Sequence, residues 1–366
     1  MNDIFSWQQD LWRLLATGDR PGQGKTSLGH ALLLRGRKGI GKFAFARCLA
    51  KSLLCRNPAA ECLPCGTCAS CVWFESGGHP DFRLIEPEIF SQGSDSSDSA
   101  EATGEKSAAE DEITGGKKVA KKPSKQIIVE QVRNTVDFVN ISSHQSGYKI
   151  VLIHPAEAMN AAAANALLKN LEEPPARTLF ILVTHQAQYL LPTIRSRCRQ
   201  VAMPMPDRTV ALDWLRQQGI KSPESCLASA GYAPLAALAF SDQDYLDLHD
   251  SFIRQVSTRD LDPVGLAEKM QKADLVTIVS WLQKWGYDLV SFRITGEIRY
   301  HPDRAGTIQS LAYGVDLRQL GAYLRSLNDA QQLAAHSLNP RLFLEDLLFS
   351  YLQALSSRPP DASAYG

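Results

Sequence analysis

Apolar and polar residues are distributed differently in the two parts of the chain. Up to about residue 204, short apolar runs alternate with amphipathic stretches; beyond Met205 only helical spacing remains. Phe5 to Thr17 reads as a helix. The run Ala31-Leu32-Leu33-Leu34 reads as a strand, and Phe43 to Leu54 as the helix after it. Ile128, Val132, Val136 and Val139 recur at helical spacing. Lys149 to Ile153 (KIVLI) reads as a buried strand. Asn160 to Glu173 is an alanine-rich helix ended by Pro174-Pro175, and Thr178 to Thr184 (TLFILVT) is a second buried strand. Strands without polar alternation, separated by helices, predict an α/β fold whose parallel sheet is covered by helices on both faces.

In the second part, Leu275, Ile278, Val279, Leu282 and Leu289 fall on one helical face. Leu344, Leu347, Leu348 and Tyr351 do the same. These stripes predict an all-α region in which they serve packing, with some apolar face available to other subunits. Residues 91–126 break the pattern. Ser91 to Glu112 is rich in Ser, Ala, Asp and Glu, and Lys117 to Lys125 is basic. Such a stretch cannot bury enough apolar surface to order itself, which predicts a disordered insertion in a surface loop. A nucleic-acid contact by its lysines is the alternative.

Bulk properties narrow the class. The chain has 366 residues, 44% hydrophobic, with a formal net charge of zero, which predicts two or three soluble domains. The basic excess of a whole-chain nucleic-acid binder is missing. MNDIFSWQQD has no apolar signal-peptide core, and no 18-residue apolar run occurs. The expectation is a cytoplasmic protein, with no membrane partner and with reduced thiols. Its eight cysteines then point to metal or packing rather than disulfides.

Five of those cysteines, Cys55, Cys62, Cys65, Cys68 and Cys71, fall within seventeen residues, with three successive C-x-x-C steps. A redox pair would need only two cysteines. Four thiolates at this spacing predict structural zinc, Zn2+. Cys65, Cys68 and Cys71 are the primary ligands, Cys55 the fourth, and Cys62 its rival. His79, in GGHPDF, is either a further ligand or a turn and capping residue.

Two segments compete as a phosphate loop. Gly22 to Ser27 contains Gly-Lys-Thr but lacks the glycine five residues before Gly24 and follows a helix, which predicts a solvated loop. Gly36 to Gly41-Lys42 has the right spacing and lies between a strand and a helix, as backbone cradling of phosphate requires. The next residue is Phe43, whose ring cannot ligate magnesium. The strand that should end in acidic residues is followed by His154-Pro155, with Glu157 nearby but out of register. Both parts of a magnesium site are missing, so Gly36, Gly41 and Lys42 predict weak ATP binding or none, and no hydrolysis.

The stretch from 161 to 198, AAAANALLKNLEEPPARTLFILVTHQAQYLLPTIRSRC, resembles the signature region of bacterial clamp-loader subunits. The cysteines, GGHPDF, the following helix and KIVLI match the same AAA+ clamp-loader family of DNA polymerase III. The likeness spans essentially the whole chain, more loosely in its last third. The degenerate loop and the missing acids point to a stator member rather than a motor. The resemblance implies an AAA+ domain over 1–204, a helical lid over 205–242 and a helical collar over 243–366. It implies a replication protein in a circular pentamer with the motor (tau/gamma) and delta subunits, which load the sliding clamp onto primed DNA. Such a chain has no ATPase of its own, yet belongs to a DNA-directed DNA polymerase, a nucleotidyltransferase. It further implies that Arg197, in Ser196-Arg197-Cys198, serves as an arginine finger, a catalytic group acting in trans on a neighbour's ATP. Two departures stand out: Tyr232-Ala233-Pro234-Leu235 where a sensor arginine would follow Ser229-Ala230-Gly231, and the long insertion. The rival readings are an active AAA+ ATPase and a zinc-dependent nucleic-acid-binding protein.

Overall fold

The computed structural model describes residues 4–16, 28–91, 124–140, 147–240, 242–334 and 338–356. The Gly22 to Ser27 loop and residues 92–123 of the insertion lie outside them. The chain divides into two compact units, Met1–Pro204 and Met205–Gly366.

In chain order the first unit contains α1 (Gln9–Ala16), β1 (Ala31–Arg35), α2 (Lys42–Leu54), α3 (Ala69–Glu75), β2 (Phe82–Ile85) and α4 (Glu88–Ser91). It continues with α5 (Val129–Asn140), β3 (Lys149–Ile153), α6 (Ala161–Glu172), β4 (Thr178–Thr184), α7 (Pro192–Arg197) and β5 (Arg199–Ala202). The five strands form one sheet in the order β2-β3-β4-β1-β5, with every pairing parallel. Every residue of β3 and β4 is buried, as for strands covered on both faces. On one face Leu33, Val151, Phe180 and Leu182 pack against Val132 of α5, Leu167 of α6 and Ile194 of α7. The alternate residues Leu32, Leu152 and Ile181 are equally buried, and α2 packs against β1, β3 and β4. Strands β2 and β5 were not legible in the sequence. They are four residues each and half exposed, so they carry no apolar run.

Parallel strands all end at one edge of the sheet. The loops after β1, β3 and β4, beginning at Gly36, His154 and His185, therefore open together, the usual place for a ligand in such a sheet.

The second unit is helical. Helices α8 (Arg208–Gln217), α9 (Pro223–Ser229) and α10 (Pro234–Ala239) share a small core that includes Leu215, Leu227 and Ala237. Helices α11 (Gln243–Val256), α12 (Pro263–Met270), α13 (Leu275–Thr295), α14 (Ala305–Ala312), α15 (Leu317–Leu333) and α16 (Pro340–Ser356) contribute to a larger one. Both stripes read from the sequence lie inside that larger core. Asp242, Asp262, Asp274 and Asp316 cap the first turns of α11, α12, α13 and α15 with their carboxylates. No described helix is long and apolar enough to cross a membrane.

Candidate functional site

The loop from Gly36 to Gly41 carries β1 into α2. Gly39 and Gly41 hold φ of 85° and 88°, in the left-handed region that favours glycine. Gly41 is constrained a second way: a Cβ there would stand 2.6 Å from the Phe5 ring and 2.8 Å from Gln8 Nε2. The N-terminal turn lies on this loop. Gln8 Nε2 and Trp7 Nε1 both donate to the Ile40 carbonyl, at 2.8 and 3.1 Å. The Phe5 and Trp7 rings stack with centroids 4.7 Å apart. Sequence reasoning missed this cover, because nothing local in Phe5 to Gln8 signals a contact more than thirty residues away.

Lys42 is buried, and its ammonium faces inward. Nζ donates to the Gly36 carbonyl at 2.7 Å and to the Arg37 carbonyl. Burial pushes its pKa down to about 8, against the pull of Glu157. The cation that should meet phosphate is thus bonded to its own loop. Phe43 stacks on His154 with centroids 4.4 Å apart, and His154 Nδ1 lies 2.9 Å from Glu86 Oε1. A ring pair stands beside this loop, where a phosphoryl-transfer site would need a hydroxyl and an acid. Glu157, out of register in the sequence, is brought to Lys42 by the turn after β3. Its Oε1 accepts from the His185 backbone N–H at 2.9 Å, and its Oε2 is buried with no hydrogen-bond partner. Burial, then the Lys42 charge, push His185 down to about 3.

Arg197 is the last residue of α7. Its neighbours Ile194 and Cys198 are buried in the sheet core, which fixes its main chain. Nη2 lies 2.6 Å from Glu172 Oε1, and Nη1 donates to the Thr193 carbonyl at 3.1 Å.

Cys55, Cys65, Cys68 and Cys71 lie together, with all four sulfurs within 4.8 Å of one another. Three of the Sγ–Sγ distances are 3.5, 3.9 and 3.9 Å. A tetrahedron built on metal–sulfur bonds of about 2.3 Å has edges of about 3.8 Å, so the donor set fits such an ion. The Cys68 N–H donates to Cys65 Sγ at 3.4 Å; such bonds, with that of Thr67 foremost, pull the Cys65 thiol down to about 6. Cys62 is buried outside the cluster, and its carbonyl accepts from Ser52 Oγ. His79 is also outside it. Its Nδ1 accepts from the Asp81 N–H at 3.0 Å, leaving Nε2–H for Ser70 Oγ at 2.8 Å. Ser70 in turn donates to the Leu54 carbonyl at 2.6 Å, so Ser70 ties α3 to the end of α2 and His79 holds the Ser70 hydroxyl from the other side.

The family model described as DNA polymerase III, delta subunit, matches residues 20–207, and that described as its C-terminal part matches residues 241–353. DNA polymerase III subunit delta' of Pseudomonas aeruginosa is 34% identical, over 96% of this chain and 98% of its own. The chain belongs to the delta-prime family of DNA polymerase III subunits. The delta' subunit of Escherichia coli K12 is 27% identical, over 95% of this chain and 96% of its own. Among solved structures, a gamma subunit-related protein of Thermotoga maritima aligns at 18% identity and a TM-score of 0.42, covering 95% of this chain and 99% of that one. So slight a structural likeness carries no weight for the fold.

Proposed function

We propose that this chain is the non-hydrolysing stator of a clamp loader. In this reading it assembles with motor (tau/gamma) and delta subunits and helps to place a sliding clamp on primed DNA. The observation that carries the reading is Lys42. Its ammonium is spent on the carbonyls of Gly36 and Arg37, while Phe43 and His154 stack beside the loop. Phosphoryl transfer depends almost wholly on metal and positioned charge, and here the metal-ligating hydroxyl is replaced by Phe43 and the ammonium is bonded to its own loop.

The chain's contribution to hydrolysis is then made in trans. Arg197, fixed at the end of α7, supplies its guanidinium to the ATP of the adjacent motor subunit. A planar fork suits phosphate oxygens and neutralises charge on the transferring group. The helices from 205 to 242 act as the lid and those from 243 as the collar that joins the ring. Cys55, Cys65, Cys68 and Cys71 would hold one zinc ion, whose part is structural: it ties the end of α2 to the start of α3.

The test is to measure ATP binding and hydrolysis by the purified chain, then by the complex rebuilt with motor and delta subunits. The expected result is no turnover alone, and a clamp- and DNA-stimulated rate in the complex that Arg197→Ala partly removes. Turnover by the isolated chain at the rate of an ordinary P-loop ATPase would overturn the stator reading.

A further inference from the structure

Glu172 is the last residue of α6, at the end where the helix dipole disfavours a carboxylate and favours a cation. Glu173 follows it, exposed like Glu172. The two acids differ in what they touch. Glu172 Oε1 lies 2.6 Å from Arg197 Nη2, while Glu173 makes no ion pair with a described residue. The main chain of Arg197 is already held by buried Ile194 and Cys198. The side chain is held as well, at one terminal nitrogen by Glu172 and at the other by the Thr193 carbonyl, 3.1 Å away. Two of five guanidinium N–H groups are committed, and the rest stay available. The Arg197 and Glu172 side chains keep 34% and 48% of their exposure, so the pair can be reached by another molecule.

We propose that Glu172 is a positioning residue for Arg197: through this ion pair it holds the guanidinium in the orientation that meets a neighbouring subunit's nucleotide. The proposal rests on the reading of Arg197 given under Proposed function. An unrestrained arginine loses much rotamer freedom when it docks, and a group misplaced by an ångström can lose about a hundredfold in rate. An anchored fork meets the phosphate with that freedom already removed. Glu172 touches neither nucleotide nor reacting atoms and acts only through Arg197. Its unfavourable position at the helix end fits a residue that serves the pair rather than the helix.

The experiment uses complexes rebuilt with motor and delta subunits, each variant checked for assembly by size-exclusion chromatography and for an unchanged melting temperature. The readout is clamp- and DNA-stimulated ATP hydrolysis, with kcat and KM separated. The share of kcat that depends on Arg197 is the difference between the native complex and Arg197→Ala. Glu172→Ala is expected to cut that share by about tenfold with KM unchanged. Glu172→Gln, which keeps an acceptor of the same shape, retains the larger part. Glu173→Ala leaves it intact, and Glu172→Ala adds nothing to Arg197→Ala. If Arg197→Ala slows hydrolysis while Glu172→Ala does not, or if Glu172→Ala speeds it, positioning is overturned and the arginine finger stands. If Arg197→Ala itself changes nothing, the finger fails, and the role of Glu172 with it.

Discussion

Gly41 carries two constraints that can be measured apart. Its φ of 88° disfavours any side chain, and the Phe5 ring and Gln8 amide occupy the space a Cβ would need. Gly77 has a similar φ of 74° with nothing within 4 Å of a Cβ. Gly77→Ala should therefore cost only the backbone term, about 1–2 kcal/mol. Gly41→Ala should cost about 1–3 kcal/mol more from overpacking, by urea denaturation of the purified chain. Equal losses would mean that the N-terminal turn leaves the loop in solution. Two residues on, Phe43→Thr restores the missing hydroxyl but leaves His154-Pro155 after β3 and Lys42 bonded to its own loop. Hydrolysis by the isolated variant should stay at background, because a magnesium site needs the acid as well. Turnover on this single change would show that the hydroxyl alone had been limiting.

At the scale of elements, the cysteine module is a short excursion between α2 and β2 that gathers four thiols and is joined by the His79–Ser70–Leu54 chain. About one zinc per chain is expected by elemental analysis of freshly purified, reduced protein. Cys68→Ser should lose it and raise hydrogen exchange from Cys55 to His79, leaving α13 protected. Cys62→Ser should keep the metal, since Cys62 lies outside the cluster. Metal-free protein with native protection in this segment would sink the zinc reading. What was legible here was local. Cys55 ranks above Cys62 in the sequence, but spacing leaves either as a plausible fourth thiol; the fold brings Cys55 Sγ to 3.5 Å from Cys65 Sγ and leaves Cys62 outside the cluster. The long apolar strands β1, β3 and β4 were readable because both faces are covered. Strands β2 and β5 and helix α7 were not, being too short to show a period. Phe43 and His154 were read as losses from the sequence, but their stacking on each other was not, since it depends on the register of β1 against β3 through β4.

Across the whole molecule, each unit holds histidines whose partial or full burial disfavours the charged form. Burial lowers His79, and lowers His185 and His249 to about 3. His249 belongs to the second unit, where its ring meets Trp281 edge-on at 5.0 Å and stacks on His301 at 5.8 Å. His301, then Lys284 and Arg304, add to the effect of burial on it, and Asp250 opposes them. The folded-state pKa lies below the unfolded value of about 6.5, so the unfolded chain binds the extra proton. The stability this group contributes is complete above pH 6.5 and is lost as pH falls from there toward about 3. Within that window each such histidine adds a slope of up to about 1.4 kcal/mol per pH unit. His249→Phe keeps an aromatic ring against Trp281 and removes the proton. Its stability at neutral pH changes with packing, but the slope is independent of that offset. Native-state hydrogen exchange of the α13 amides, followed from pH 6.5 to 4.5, confines the reading to the second unit, away from thiols and metal. The variant should lose protection less steeply than the native chain, by up to one proton's worth of slope. Equal slopes would mean that His249 takes up its proton in the folded state near the ordinary range, and that its burial does not hold it neutral.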